Sequence, residues 1–366
     1  MDERKIMEKG KVKNITKHIV KKSIYIIIIC LVVLPILKNV FSNGEKSGIK
    51  YGYVDKTGQV VINPQFGKAG DFHEGLAYAC NSKCGYIDKT GKFVISQKHD
   101  DAKDFSEGLA AVEINKKYGY INQTGDFIVK PEFNYAGDFS EGLAHVVFHD
   151  GLSLKDGYMD KTGKIVIKLP LLAASNVFKE GLTSIEINGK YGFIDKTGKI
   201  VIKPQFEDIV RGFDDGLAPV KISNKWGLID KTGKFVIKPK YNEYIYFYEG
   251  LADVKINQKY GYINKNEQIS IKPQFDKAGR FRDGFAPIIL NNKQGYINKQ
   301  GEIVINPQFT RHHIPNHPGF YEGLAAVNIN NKVGFINKKG ILVIKPEFDE
   351  VSNFSEGFVK VGMKSK

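Results

Sequence analysis

From Tyr51 onward the chain repeats one pattern of sequence nine times. The clearest copy runs Tyr191-Gly-Phe-Ile-Asp-Lys-Thr-Gly-Lys-Ile-Val-Ile-Lys-Pro-Gln-Phe206, continues to Phe213-Asp-Asp-Gly-Leu-Ala218, and gives way to Trp226-Gly227 of the next. The anchoring glycines are Gly52, Gly85, Gly119, Gly157, Gly192, Gly227, Gly261, Gly295 and Gly334, 33 to 39 residues apart. A fixed period of this size marks a repeat architecture, in which a unit buries its apolar face only against its neighbours. A length of 366 residues would otherwise suggest two or three domains. The repeat replaces that reading with one array over residues 51–366, which no Pro/Gly/Ser-rich linker or charge block interrupts.

The net charge of +14 divides unevenly along the chain. Residues 1–50 hold 11 Lys/Arg against 4 Asp/Glu, and the array holds 43 against 36. In the array, lysines recur at fixed turn positions beside acids, the pattern of a solvated face, and no specific nucleic acid is expected as a partner. The start of the chain is different. Residues 1–23 are a basic flank, and 24–41 contain the charge-free run Ile24–Leu37. Positive charge stays on the cytoplasmic side of a membrane, so a basic flank before an apolar run predicts export of the chain beyond Leu37. Fourteen apolar residues suit a signal-peptide core, with cleavage near Ser42; the long flank and Lys38 suit an uncleaved anchor helix. Both remain open. Residues 42–50 form a linker, and the expected location is extracytoplasmic, with the protein membrane-anchored or secreted.

Each unit reads as three short strands. The first is of the Gly-Phe-Ile-Asp type. The turn after it carries Asp or Asn first and Gly fourth (Asp195…Gly198), where the side chain accepts backbone N–H groups and glycine supplies a positive φ. Asn264-Lys-Asn-Glu267 lacks that glycine, so its turn is expected to be strained or differently built. The second strand is expected to end at the proline, which has no ladder donor. A loop then leads to Phe-x-[Glu/Asp]-Gly. The acid is present in all nine units: Glu74, Glu107, Glu141, Glu180, Asp215, Glu249, Asp283, Glu322 and Glu356. A catalytic carboxylate is needed once or twice, so nine copies read as turn structure, each accepting N–H groups of its own tight turn. The third strand alternates and returns as a hairpin against the first strand of the next unit. Pairing Ile114 with Tyr118, Ile187 with Tyr191, Ile222 with Trp226 and Ile256 with Tyr260 there predicts an aliphatic–aromatic seam whose aromatics are Tyr51, Tyr118, Tyr191, Trp226 and Tyr260.

Function is sought where units depart from the pattern. Cys80 and Cys84 stand together in the seam, a disulfide candidate in an exported chain. As a metal site CxxxC is weak, with no histidine or third cysteine nearby in sequence. Residues 148–156 lengthen one hairpin turn. Residues 96–100 lose both the proline and the phenylalanine. Residues 310–320 insert five residues and three histidines, His312, His313 and His317, which read as a polar surface loop before they read as a zinc or copper site. No Ser/His/Asp ordering, phosphate-cradling glycine loop or HExxH occurs. The chain reads as no enzyme, and no cofactor is expected.

The recurrent [Tyr/Trp]-Gly-x-Ile-[Asp/Asn]-Lys-x-Gly…Ile-Lys-Pro-x-Phe…Phe-x-Glu-Gly-Leu-Ala unit resembles the bacterial WG-repeat (KWG-repeat) family across residues 51–366. Its name-giving tryptophan survives at Trp226, and Asp156, Gln294 and Val333 stand where the seam is weaker. The resemblance implies an exported or surface-attached β-repeat protein that binds partners, and it brings no catalytic residues. The expected fold is all-β: three-stranded meanders, each joining the third strand of one unit to the first two of the next. The array forms a propeller-like ring or an open superhelix behind an N-terminal hydrophobic helix. The expected function is a scaffold that binds a protein or a cell-envelope polymer; the alternative is a structural or assembly protein of the envelope without a ligand pocket.

Overall fold

A computed structural model of the chain describes residues 48–173, 177–310 and 319–364. The basic flank and apolar run that predict export, and the anchor helix drawn from them, lie outside the described residues. Among the described residues there is no helix, and so none long and apolar enough to cross a membrane. Lys50–Lys366 form one compact unit.

The unit is a succession of small antiparallel sheets. In a representative one the strands lie in the order Asp208–Ile209, Leu217–Ile222, Lys225–Asp230, Phe235–Tyr241. The first two strands belong to the fifth repeat and the last two to the sixth, so every sheet straddles a repeat boundary. The expected three strands become four in most sheets, because the chain just beyond the second strand adds a two-residue strand to the next sheet. One sheet has eight strands: two neighbours are merged where Thr310 of Ile303–Thr310 bridges Asn328 of Leu324–Ile329.

The ends of the array meet. The strand Ile49–Asp55 lies between Val60–Phe66 and Phe358–Lys364 in one four-stranded sheet. The last strand therefore completes the first sheet, and the circuit of sheets closes on itself. Hydrophobic clusters bridge each pair of neighbouring sheets. One joins Phe193, Ile202 and Phe206 of one sheet to Ile209, Ala218, Val220 and Ile229 of the next. The cluster at the closure sets Val54 and Val361 of the closing sheet against Phe335 and Ile344 of the sheet before it. Each such Ile or Phe removed from water stabilises by roughly 1.5–3 kcal/mol, and no sheet has a core without its neighbour.

Two local expectations are corrected, and between them an open one is decided. The second strand does not end at its proline. Ile200–Phe206 runs through Pro204, with Phe193 opposite Ile202 and Tyr191 opposite Phe206, so three residues of one strand face the single Gly192 of the other. Proline sits in this bulge, where no ladder donor is missed. The close approach also explains the anchoring glycine: a Cβ on Gly192 would lie 2.5 Å from the Ile202 carbonyl oxygen and 2.6 Å from the Pro204 nitrogen. Second, the Asn264 turn keeps the common build, its Oδ1 accepting the Asn266 and Gln268 N–H groups, while Glu267 takes φ +60° in place of glycine. It is strained, not rebuilt.

Third, the seam register shifts by one. Ile114 faces Lys117 and Glu113 faces Tyr118; likewise Lys221 faces Trp226 and Lys255 faces Tyr260. The hairpin turns on two residues, Asn115 (φ +51°) and Lys116 (φ +63°), rather than three. Such a two-residue turn, left-handed at both positions, matches the twist of the strands it joins. The seam is therefore an aromatic ring against a charged side chain. Tyr191, opposite Glu186, is half-buried, and Trp226 is buried beneath Lys221, whose amine lies 5.8 Å from the ring centroid. The Tyr51 hydroxyl donates to Glu350 (2.8 Å) and that of Tyr260 to Glu243 (2.9 Å). Burial first, and these carboxylates second, push both phenols up to about 12.

Candidate functional site

The repeated carboxylates are explained by their partners. Each Glu-Gly pair is a two-residue hairpin turn with both residues at positive φ, as at Glu107 (+55°) and Gly108 (+87°). Glutamate is a poor residue for a left-handed position, yet it recurs. Its carboxylate accepts an N–H not from its own turn, as expected, but from the glycine of the next unit's turn. The bonds are Gly108 to Glu74, Gly142 to Glu107, Gly181 to Glu141, Gly216 to Glu180, Gly284 to Glu249, Gly357 to Glu322 and, across the closure, Gly75 to Glu356. Asp215 and Asp283, one methylene shorter, make no such bond. The same acids pair with the turn lysines two repeats on, including Lys161–Glu107, Lys265–Asp215, Lys338–Asp283 and Lys56–Glu322. These nine acids tie sheet to sheet.

The departures are more informative. Cys80 and Cys84 lie directly opposite each other and their sulfurs are bonded, with 4.1 Å between Cα atoms. Cys80 occupies the position of Glu113 and Lys221 rather than that of the neighbouring isoleucine, because its turn has three residues. The next residue in the row is His99, opposite Cys84 where Tyr191 faces Phe206. His99 is fully buried and neither ring nitrogen has a well-formed hydrogen bond. Burial, then Lys98, holds its imidazole below the usual range, and so neutral. Nineteen residues of chain separate His99 from Cys80, so only strand pairing reveals the triplet. A second exception lies in the lengthened hairpin: Asp156, 2% exposed at a seam position, accepts a hydrogen bond from His145 Nε2 at 2.9 Å. Among the described residues, no group of three or more His, Cys, Asp or Glu side chains is placed to hold a metal ion. His312, His313 and His317 lie outside the described residues.

The third set of departures forms an arc. The residues flanking the buried phenylalanine of each Phe-x-[Glu/Asp]-Gly hairpin occupy equivalent places around the circuit. In three units the residue after it is a serine tied to the next unit: Ser106, Ser140 and Ser355 donate to the carbonyls of Phe139, Phe178 and Phe72 at 2.6–2.7 Å. The residue before it is Asp71, Asp104 or Asp138 in units one to three. The Asp104 carboxyl is pushed up to about 6, mainly by burial, with His73 opposing and Asp71 adding.

In units six and seven the same places carry Tyr246 and Tyr248 around Phe247, and Arg280 and Arg282 around Phe281. In unit eight Tyr321 follows Phe320. The Arg280 guanidinium carbon lies 4.6 Å from the Tyr248 ring centroid and 5.6 Å from that of Tyr246, and that of Arg282 lies 4.2 Å from Tyr321. Tyr244, half-exposed, meets Trp226 and Tyr246 edge-on at 5.9 and 6.1 Å. Tyr246 is 6% exposed and its hydroxyl has no hydrogen-bond partner. Burial raises that phenol far above its ordinary value, and Arg211 and Arg280, both near, oppose the rise. Asp253 lies close enough to feel Arg280; burial pushes its carboxyl up to about 6. Sequence reading missed this arc, although one signal was available: Arg211, Arg280, Arg282 and Arg311 are the array's only arginines, and all fall in the same loop of units five, seven and eight.

Closed by pairing its first and last strands, and locked by bonds between successive units, the chain is a tandem-repeat scaffold of small antiparallel sheets. It belongs to the WG containing repeat family, whose model matches nine times, at 51–82, 85–118, 118–151, 157–191, 191–226, 226–260, 260–293, 295–332 and 334–366. That family is a repeat scaffold and not a known enzyme family. A search of curated proteins finds no match. Among solved structures the chain is similar to a eukaryotic initiation factor (11% identity, 73% of this chain and 83% of that one, TM-score 0.49). It is also similar to Kluyveromyces lactis Hsv2 (7%, 73% and 97%, TM-score 0.39) and the dihydro-heme d1 dehydrogenase NirN (12%, 70% and 73%, TM-score 0.39). At these scores none bears on function.

Proposed function

We propose that this protein is an exported, membrane-associated binding scaffold whose ligand, a protein or a cell-envelope polymer, is held at the arc of units five to eight. One observation carries the reading. The repeated carboxylates, serines and lysines are engaged in bonds between units, whereas Tyr246, Tyr248, Arg280, Arg282 and Tyr321 stand where other units place such residues. Among the described residues the guanidinium groups of Arg280, Arg282 and the neighbouring Arg211 have no carboxylate within salt-bridge distance. Arginine and tyrosine are the residues that dominate binding surfaces. Export rests on the basic flank and the apolar run Ile24–Leu37. The test is capture from fractionated envelope by the full chain, alongside the Arg280→Ala/Arg282→Ala variant. Saturable capture by the first and not the second is expected. Equal capture by both, or concentration-dependent self-association with none, favours the alternative of an envelope assembly protein without a ligand.

A further inference from the structure

Resting on that reading and narrowing it, we propose that Arg211, Arg280 and Arg282, together with the Tyr246 hydroxyl, form a site for the oxyanion groups of an anionic envelope polymer. The argument begins with how cations are used in this array. Its lysines are widely engaged: Lys68, Lys83, Lys161, Lys179, Lys259 and Lys332, among others, lie within salt-bridge distance of a carboxylate. Arg211, Arg280 and Arg282 have no such partner among the described residues. Nearby acids are already committed: Asp214 to Lys179, Asp215 to Lys265, Glu249 to Lys299, Asp283 to Lys338, and Glu243 to the Tyr260 hydroxyl. Asp253, close to Arg280, and Glu243, whose partner is a neutral hydroxyl, have no ion pair among the described residues. Three guanidinium groups without a salt bridge, within three successive units, outnumber these acids and leave a positive field.

The mode of holding identifies the chemistry. A guanidinium over an aromatic face keeps its planar edge of N–H donors free, and that edge matches the two oxygens of a carboxylate or phosphate. Arg280 lies over Tyr246 and Tyr248 and Arg282 over Tyr321, so these ring faces are covered by cations. They are not open platforms for stacking nucleobases, which separates the arc from a single-strand nucleic-acid surface. The buried Tyr246 hydroxyl adds a donor with no partner, a group that costs free energy until a ligand oxygen accepts from it. Guanidinium groups contributed by units five and seven suit a ligand that repeats its charge, such as a uronate chain or a polyol-phosphate chain, more than a single small anion.

Binding of polygalacturonate and of polyglycerol phosphate to the purified full chain, measured by titration calorimetry at two salt concentrations, tests the site and separates carboxylate from phosphate sources. Tighter binding of one or both than of polyglutamate is expected. Arg280→Lys/Arg282→Lys keeps the charge but loses the fork and the stacking, and is expected to weaken binding by about tenfold. Tyr246→Phe keeps the ring and is expected to cost about fivefold. Two lysines on exposed strand positions, Lys203→Gln/Lys238→Gln, serve as the charge control, and each variant's melting temperature is recorded so that loss of fold is recognised. If the lysine control weakens binding as much as the arginine pair, the attraction is diffuse and the site is refuted. Polyglutamate binding best, or neither glycan-type polymer binding, refutes it too. Envelope capture that persists in Arg280→Lys/Arg282→Lys leaves the scaffold reading standing and removes this site; no capture by the unaltered chain removes both.

Discussion

If the inter-unit bond is what retains glutamate in the Glu-Gly turns, then replacing Glu107 by asparagine destabilises the protein although asparagine is the better turn residue. Glu107 sits at φ +55°, a left-handed position that costs a side-chain residue roughly 1–2 kcal/mol and that asparagine tolerates best. On turn preference alone, Glu107→Asn gains up to about 1 kcal/mol. Against this stand the Gly142 N–H at 2.9 Å and the Lys161 amine at 3.0 Å. A hydrogen bond to a charged group contributes about 1.5–3 kcal/mol, and a pair as exposed as Lys161–Glu107 adds about 0–1 kcal/mol. Asparagine is too short to keep either. The net is a loss of roughly 0.5–4 kcal/mol, so the sign of the change decides the argument.

Urea unfolding of the full chain gives that sign as a lower midpoint with unchanged slope. The complementary change works where the bond is missing. Asp215→Glu lengthens the side chain by the one methylene that separates it from the seven glutamates, and is expected to gain about 1 kcal/mol from the Gly250 N–H. Lys265 remains as its ion pair. A Glu107→Asn variant at or above the parent's midpoint, together with an unimproved Asp215→Glu, would falsify the account of the repeated acid.

Gly227→Ala should lose about 3 kcal/mol or more, because its Cβ would lie 2.5 Å from the Ile237 carbonyl oxygen; a melt within 2 °C of the parent would sink the close-approach explanation. Reducing the Cys80–Cys84 disulfide releases a very short loop, so the expected loss is only about 2 kcal/mol, read as a modest drop in melting temperature under a dithiol. For Asp253 the folded carboxyl titrates near 6 against an ordinary 3.8, so the folded state binds the proton more tightly. Stability therefore falls as pH rises between these values, and the penalty, no more than about 3 kcal/mol, is fully present above pH 6. Asp253→Asn should be more stable than the parent at pH 7.5 and no more stable at pH 3, and equal gains at both would contradict the assignment.

What could be read from one repeat was local. The Asp195 turn, the strand alternation and the place of Gly192 follow from contacts within about ten residues, and they hold. The seam register failed because it turns on one residue: a loop of two left-handed residues at Asn115-Lys116 and a loop of three at Asn81–Lys83 look alike until the strands are paired. The proline rule failed for a related reason, since Pro204 stops a regular ladder but sits without cost in a bulge facing Gly192. The partner of each repeated acid was out of reach, because Gly142 lies 35 residues from Glu107 and only the closing of sheet on sheet brings it near.

The same logic separates scaffold from site. A residue that recurs around the circuit can be tested against its copies, and the copies show the turn acids, the turn lysines and the three serines engaged between units. A residue present once has no such comparison, so Arg280 over Tyr246 and Tyr248 can be weighed only by what its neighbours leave undone. In a circuit whose every sheet needs the next, a position that gives up an inter-unit serine for an arginine forgoes stabilisation worth about 1 kcal/mol. Serine is missing there from units four to eight, but Lys179 and Asp214 of units four and five pair with each other at 2.8 Å and so keep a bond between units, whereas Tyr248, Arg282 and Tyr321 of units six to eight set cation against ring.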